Sequence, residues 1–245
     1  MSALFVVVTG TDTGVGKTRV GTALARAATD LGARVRAVKP IESGCGATPS
    51  PLEDGVALAR ATGQAEPRAA LCRLAASLAP PLAAEMQRGR LSFEALLHQT
   101  RALGEGVDLV LVEGAGGLLS PLTWEHTVID LARGLGARAL LVAADRLGTL
   151  SHVRVCLRVL MAEGVPLAGV VLSEIAARDP ARDASAGTNL ASLARLPDVP
   201  PVIPLPFVES LGAAAHALRP LAEALLGRGP GGGQDPPLDI YASDK

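Results

Sequence analysis

The chain has 245 residues, 49% of them hydrophobic and 19% charged, with 23 basic side chains against 24 acidic ones. That balance leaves no basic stripe for duplex binding, and three Phe, one Trp and one Tyr are too few for a base-stacking platform. Mean hydropathy is +0.33, yet the longest apolar runs, such as Leu4–Val8 and Ala139–Ala144, fall far short of the roughly 18–20 residues a membrane span needs. Neither nucleic acid nor membrane is therefore an expected partner.

Taken in chain order, Leu4–Val8 reads as a buried strand and Thr18–Leu31 as a helix ended by Gly32. Arg34–Val38 is a second strand, Pro51–Gly63 a helix, and Ser92–Leu103 a clearer helix with Ser92 as its cap. Val107–Val112 is nearly all apolar, as suits a parallel strand covered on both faces. Thr127–Leu135, Ala139–Ala144, Leu150–Glu163 and Leu167–Leu172 continue the alternation, and Pro201–Leu205 and Leu211–Leu226 close it with a strand and a helix. This rhythm predicts an α/β fold, a single mostly parallel central sheet with helices on both faces. The stretch from Gly227 is Gly/Pro-rich and polar, and a disordered tail over 227–245 is expected. Cys45, Cys72 and Cys156 are odd in number and lack a C-x-x-C pair, and Met1–Val8 lacks a basic leader. Free thiols in the cytoplasm are expected.

The strongest signal is GTDTGVGKT over 10–18, placed between the first strand and the first helix. In that context it reads as a phosphate-binding loop of the P-loop NTPase type. Backbone N–H groups and the helix N-terminus face phosphate oxygens, Lys17 reaches the β- and γ-phosphates, and the Thr18 hydroxyl serves Mg²⁺. It departs from the usual motif because the first glycine stands at Gly10, with Thr11 in the expected place. A magnesium nucleotide also needs carboxylates. Glu113 closes the strand 107–112 and precedes a run of glycines, so it is the first candidate. Asp54 is the second, although it could equally be a helix-start residue answering the dipole. Lys39 follows the second strand and would share that ligand-binding edge with Lys17. Two cations there suit phosphoryl transfer to an anionic acceptor. His98 and His152 have the placement of surface or capping residues.

Together these segments resemble the dethiobiotin synthetase family. The resemblance rests on GTDTGVGKT (10–18), VKPIESG (38–44), Asp54 in EDGVALA, VEGAGGLLSPL (112–122), DRLGTLSH (145–152) and LAGVVL (167–172), and it covers residues 4–226. It implies a P-loop synthetase domain over 1–226 and an ATP-dependent closure of a cyclic urea. In that reaction 7,8-diaminononanoate takes up CO₂ (or bicarbonate) as a carbamate, which ATP activates. It implies catalytic roles for Lys39, Lys17 and Thr13, and Mg²⁺ on Thr18, Asp54 and Glu113. The implied nucleotide contacts are Gly14, Val15, Gly16, Lys17, Thr18 and Arg19, then Asp54, Glu113, Gly114, Ala115 and Gly116, and finally Ser173, Pro204, Leu205 and Pro206. Substrate contacts would come from Thr13, Ser43, Gly148 and Ser151, the last two across a homodimer interface. Ser173 stands where the family commonly has an Asn that reads adenine, so relaxed nucleotide choice is expected. Rival readings are an ATP-switched septum-positioning protein and a cobyrinate-type amidating synthetase. The former carries a signature lysine five residues before the loop lysine, where this chain has Asp12.

Overall fold

The computed structural model describes residues 3–177, 179, 181 and 183–228. Of the expected tail, residues 229–245 lie outside the described residues. The chain runs β1 (Leu4–Gly10), α1 (Lys17–Asp30), β2 (Val35–Val38), β3 (Ile41–Ser43), α2 (Asp54–Thr62), β4 (Cys72–Leu74), α3 (Pro80–Met86) and α4 (Phe93–Ala102). It continues through β5 (Leu109–Glu113), α5 (Val128–Leu135), β6 (Arg138–Ala144), α6 (Thr149–Ala162), β7 (Leu167–Ser173), α7 (Asn189–Leu193), β8 (Val202–Leu205) and α8 (Leu211–Leu225).

Six strands form a parallel sheet in the order β2-β5-β1-β6-β7-β8, and β3 and β4 pair, also in parallel, as a small separate sheet. Alternate residues of β1 serve opposite layers. Val6 and Val8 pack beneath α1 and α8, whereas Val7 packs with Val128, Leu131 and Leu135 of α5. This is why the strand sequences carry no polar alternation: both faces are covered. The α1–α8 contact is rich in alanine (Ala23, Ala27, Ala28; Ala214, Ala215, Ala222), which combines high helix propensity with room for close packing. Toward the far edge Leu141, Ala143, Val170 and Leu172 meet Val153 and Leu157 of α6 and Leu193 of α7.

Local signals place the ends. The Ser92 side chain caps α4 by accepting the Ala95 N–H at 3.2 Å, and Thr127 with Asp130 forms a capping box on α5. Expected boundaries move by up to three residues: residues 51–53 are not helical, so α2 begins at Asp54, and β5 begins at Leu109 instead of Val107. The short β3, β4, α3 and α7 had not been expected. Among the described residues no helix is long and apolar enough to cross a membrane.

Candidate nucleotide and magnesium site

All six strands of the main sheet point their C-terminal ends to one edge, the edge at which open α/β sheets take ligands. The 10–18 loop leaves β1 there, Lys39 follows β2, Glu113 ends β5, Gly148 caps α6 beyond β6, Ser173 ends β7 and Pro206 follows β8. Residues 150 positions apart thus meet because the topology returns each crossover to the same side.

Two of the loop's glycines are dictated by contact, and Gly14 by its φ of 74°. A Cβ on Gly10 would stand 2.7 Å from the Val15 side chain and 2.9 Å from the Asp12 carbonyl oxygen. The early glycine, out of place against the usual motif, is therefore the one this loop requires. Gly16 sits at φ 94°, and a Cβ there would meet the Ser173 hydroxyl at 2.7 Å. Not every loop amide faces outward: the Thr13 N–H donates to Asp12 Oδ1 at 2.7 Å, and Asp12 is held from the other side by Arg146 at 2.9 Å. The Lys17 ammonium donates to the Asp12 carbonyl oxygen at 3.1 Å, and burial draws its pKa below the ordinary lysine value.

Beside the loop lies the centre of the site. Thr18 Oγ1 is 2.7 Å from Asp54 Oδ1 and 2.9 Å from Glu113 Oε1. Lys39 Nζ donates to Glu113 Oε1 at 2.7 Å and to Asp54 Oδ2. Lys39 is 6% exposed and Glu113 1%, so neither is a solvated surface charge. Burial opposes the Lys39 charge, but the Glu113 and Asp54 carboxylates outweigh it and hold the lysine pKa above its usual range. Burial pushes the Glu113 carboxyl upward, whereas Asp54, less enclosed, is drawn down by Lys39 despite its own desolvation.

The three expected magnesium ligands are thereby brought together from α1, α2 and β5. A single hydroxyl proton on Thr18 can serve only one of the two carboxylate oxygens it touches, which leaves one oxygen–oxygen contact without a proton. A hydroxyl and two carboxylates converging in this way are hard oxygen donors, and the set fits Mg²⁺. Asp54 resolves its ambiguity by doing both things: it is the first residue of α2 and a member of the cluster.

Gly114, Ala115 and Gly116 run from Glu113 alongside the loop, with the Gly114 N–H on the Val8 carbonyl and the Leu118 N–H on that of Gly10. Gly116 faces Thr13, whose Oγ1 is 3.7 Å from where a Cβ on this glycine would stand. Ser43 closes β3 with its hydroxyl buried and without a hydrogen-bond partner among the described residues, and Ser151 is exposed on the first turn of α6. At the other end of the site Arg19 joins three elements. It donates to the Glu174 carbonyl at 3.0 Å and to the Pro206 carbonyl, and stands 3.5 Å from Ser173 Oγ. Its guanidinium lies 5.8 Å from the centre of the Phe207 ring. Ser173 itself is 0% exposed against Gly16, and of the expected trio Leu205 is buried while Pro204 and Pro206 are exposed. Sequence reasoning missed Phe207, although its place directly after Pro206 was a usable signal.

Fold and site together define a P-loop nucleotide protein of the α/β class. A family model described as an AAA domain matches residues 5–205. Two solved structures share the fold. One is cobyrinic acid a,c-diamide synthase of Mycobacterium smegmatis with bound ADP and magnesium, at a TM-score of 0.55 and 22% identity, covering 96% of this chain and 99% of that one. The other is the septum site-determining protein MinD of Pyrococcus horikoshii OT3 complexed with Mg-ADP, at 0.53 and 20%, covering 92% and 96%. Closer in sequence is the ATP-dependent dethiobiotin synthetase BioD of Anaeromyxobacter dehalogenans (strain 2CP-C), 42% identical over 89% of this chain and 96% of the relative. That of Caulobacter vibrioides (strain NA1000 / CB15N) is 43% identical over 71% and 80%. The chain belongs to the ATP-dependent dethiobiotin synthetase family.

Proposed function

We propose that the chain is an ATP-dependent dethiobiotin synthetase that closes the cyclic urea of 7,8-diaminononanoate. The observation that carries this reading is the cluster of Thr18, Lys39, Asp54 and Glu113 beside the phosphate loop, in which Lys39 and Glu113 are buried. One substrate amine adds CO₂ and loses a proton, giving a carbamate. A carbamate oxygen attacks the γ-phosphorus of ATP and ADP departs, leaving a carbamic–phosphoric anhydride. The second amine then attacks the carbamoyl carbon, phosphate leaves, and the urea ring is closed.

Both partners in the phosphoryl transfer are anions, so their approach needs fixed positive charge more than it needs a base. Lys17 lies over the loop with its ammonium on the Asp12 carbonyl, and Lys39 is kept protonated by its two carboxylates. These two groups hold the γ-phosphate and the carbamate, with Thr13 as a further donor. Mg²⁺, when bound, would be held by Thr18, Asp54 and Glu113 and would neutralise β- and γ-phosphate oxygens. The carbamate is already charged, so no histidine is required to activate it.

Ser43 and the first turn of α6 at Gly148 and Ser151 take the substrate, its carboxylate facing a helix N-terminus contributed across a homodimer interface. The setting is cytoplasmic, in keeping with three free thiols, of which Cys156 has its pKa pushed up to about 11 by burial. Base recognition falls to Arg19, Phe207 and the 204–206 segment. Since Ser173 is enclosed and Arg19 is committed to carbonyls, ATP, GTP and CTP are expected to support rates within about tenfold of one another, because base-specific hydrogen bonds are what supply larger discrimination. Strict ATP dependence would count against that assignment.

The reading is tested by phosphate release from MgATP and bicarbonate, with and without the diamine, and by the mass of the product. Diamine-dependent release that yields the cyclic urea is the expected result. Release indifferent to the diamine overturns the synthetase reading.

A further inference from the structure

Asp54 is aimed by a residue that takes no part in the Thr18–Lys39–Glu113 cluster. The residue preceding α2, Glu53, makes no side-chain cap to its own helix. Glu42 of β3 does so instead: the Asp54 N–H donates to Glu42 Oε1 at 2.6 Å and the Gly55 N–H to Oε2 at 3.0 Å. The carboxylate is 7% exposed, and each of its oxygens takes one of the first two amides of the helix. An aspartate in a first turn ordinarily competes for such amides with its own side chain. With two of them taken, and a second negative charge behind the helix start, the Asp54 carboxylate finds its partners outward, on Thr18 and Lys39.

The rest of the small β3–β4 sheet reinforces this placement. Arg73, the register partner of Glu42 on β4, donates to both oxygens of Glu53 at 2.7 and 2.8 Å. Gly55 packs so closely on the next segment that a Cβ would stand 2.3 Å from the Ala70 nitrogen. Residues 53, 54 and 55 are thus each fixed from the same side. Glu42, Cys45 and Glu53 bring donor atoms within 4.8 Å of one another. The carboxylates, however, are committed to amides and to Arg73, so the group acts as a clamp.

We propose that Glu42 is a positioning residue for the metal–nucleotide site, capping α2 from a neighbouring strand so that the Asp54 carboxylate is held toward Thr18. The proposal rests on the synthetase reading insofar as Asp54 is a metal ligand. It is tested by titrating Mn²⁺ into the ADP complex of the full chain and reading free Mn²⁺ by electron paramagnetic resonance, well below the melting temperature. Glu42→Gln keeps the size of the side chain but only one acceptor oxygen; Glu42→Ala removes both. Mn²⁺ affinity is expected to fall by about tenfold or more in Glu42→Ala and by a smaller factor in Glu42→Gln, as for other residues that orient metal ligands. Metal-free ADP should bind within about twofold of the parent, since the loop amides are untouched. Folded variants with lower melting temperatures but the parent's Mn²⁺ affinity would overturn the proposal and leave Glu42 a stabilising cap only. If Glu42→Ala does not fold, Glu42→Gln decides. A parent chain that binds no Mn²⁺ with ADP would overturn the synthetase reading itself, a failure visible before any variant is made.

Discussion

β2 and β5 lie side by side and carry an ion pair at each end. At the N-terminal edge Arg34, just before β2, meets Asp108, just before β5, at 2.7 Å. At the C-terminal edge Lys39, just after β2, meets Glu113, the last residue of β5, at 2.7 Å. The chemistry is the same and the surroundings are not. The Arg34 and Asp108 side chains are 66% and 39% exposed, whereas those of Lys39 and Glu113 are 7% and 1% exposed, beneath Thr18 of α1 and Asp54 of α2. An exposed pair is screened and contributes little to stability. A buried one carries a desolvation cost that packing alone gives no reason to bear, and the proposed phosphoryl transfer supplies a reason.

Breaking the buried end should have the largest effect. Lys39→Ala removes the cation that answers Glu113 and Asp54, and product formation is expected to fall by on the order of 10²–10³, the scale of losing one fixed charge-stabilising donor. The apo form should also melt lower, by up to about 3–5 kcal/mol of lost stability, reduced to the extent that Glu113 takes up a proton. Turnover with the diamine and calorimetric melting check the two parts separately, and near-parental turnover would remove Lys39 from the mechanism. A milder disturbance reaches the same end through α2. Gly55→Ala would drive a methyl into the Ala70 backbone, costing about 1–3 kcal/mol and displacing Asp54. Its denaturant midpoint should drop, and its Mg²⁺ requirement for turnover should rise; a parental Mg²⁺ requirement would show that α2 can shift without carrying Asp54.

The two ends were unequally legible in the sequence. The phosphate loop, Lys39 and Glu113 could be read because strand ends and motif glycines mark them, and the parallel order then follows from the alternation of elements. The small sheet could not, since Ile41–Ser43 and Cys72–Leu74 are three residues each and too short to display a period. With β3 unseen, nothing placed Glu42 at the start of the expected 51–63 helix, and the sequence leaves Asp54 two equal readings that Thr18, 2.7 Å away, decides between. The end proposed to take the base was hidden for another reason. Arg19 works through the carbonyls of Glu174 and Pro206, and backbone acceptors leave no trace in side-chain chemistry. Ser173 was legible as a departure from the family pattern, but only the packing of Gly16 shows that its hydroxyl is enclosed.

The exposed end gives the smallest expected effect, and a sign that can be fixed in advance. Asp108 accepts from the Arg34 side chain and also from the Arg34 backbone N–H at 2.8 Å, and these bonds pull its carboxyl down to about 2. A carboxyl with a pKa lower in the folded than in the unfolded chain stabilises the fold above the unfolded value, here near 3.8. That contribution is lost as pH falls toward 2. The parent's melting temperature should therefore descend through this window more steeply than that of Asp108→Asn, whose amide does not titrate. Near neutral pH the variant should melt only slightly below the parent, because the pair is open to water and salt. If Asp108→Asn instead lowered turnover as Lys39→Ala does, the contrast between the two ends would fail, and burial would no longer distinguish the pair that serves chemistry from the pair that only fastens two strands.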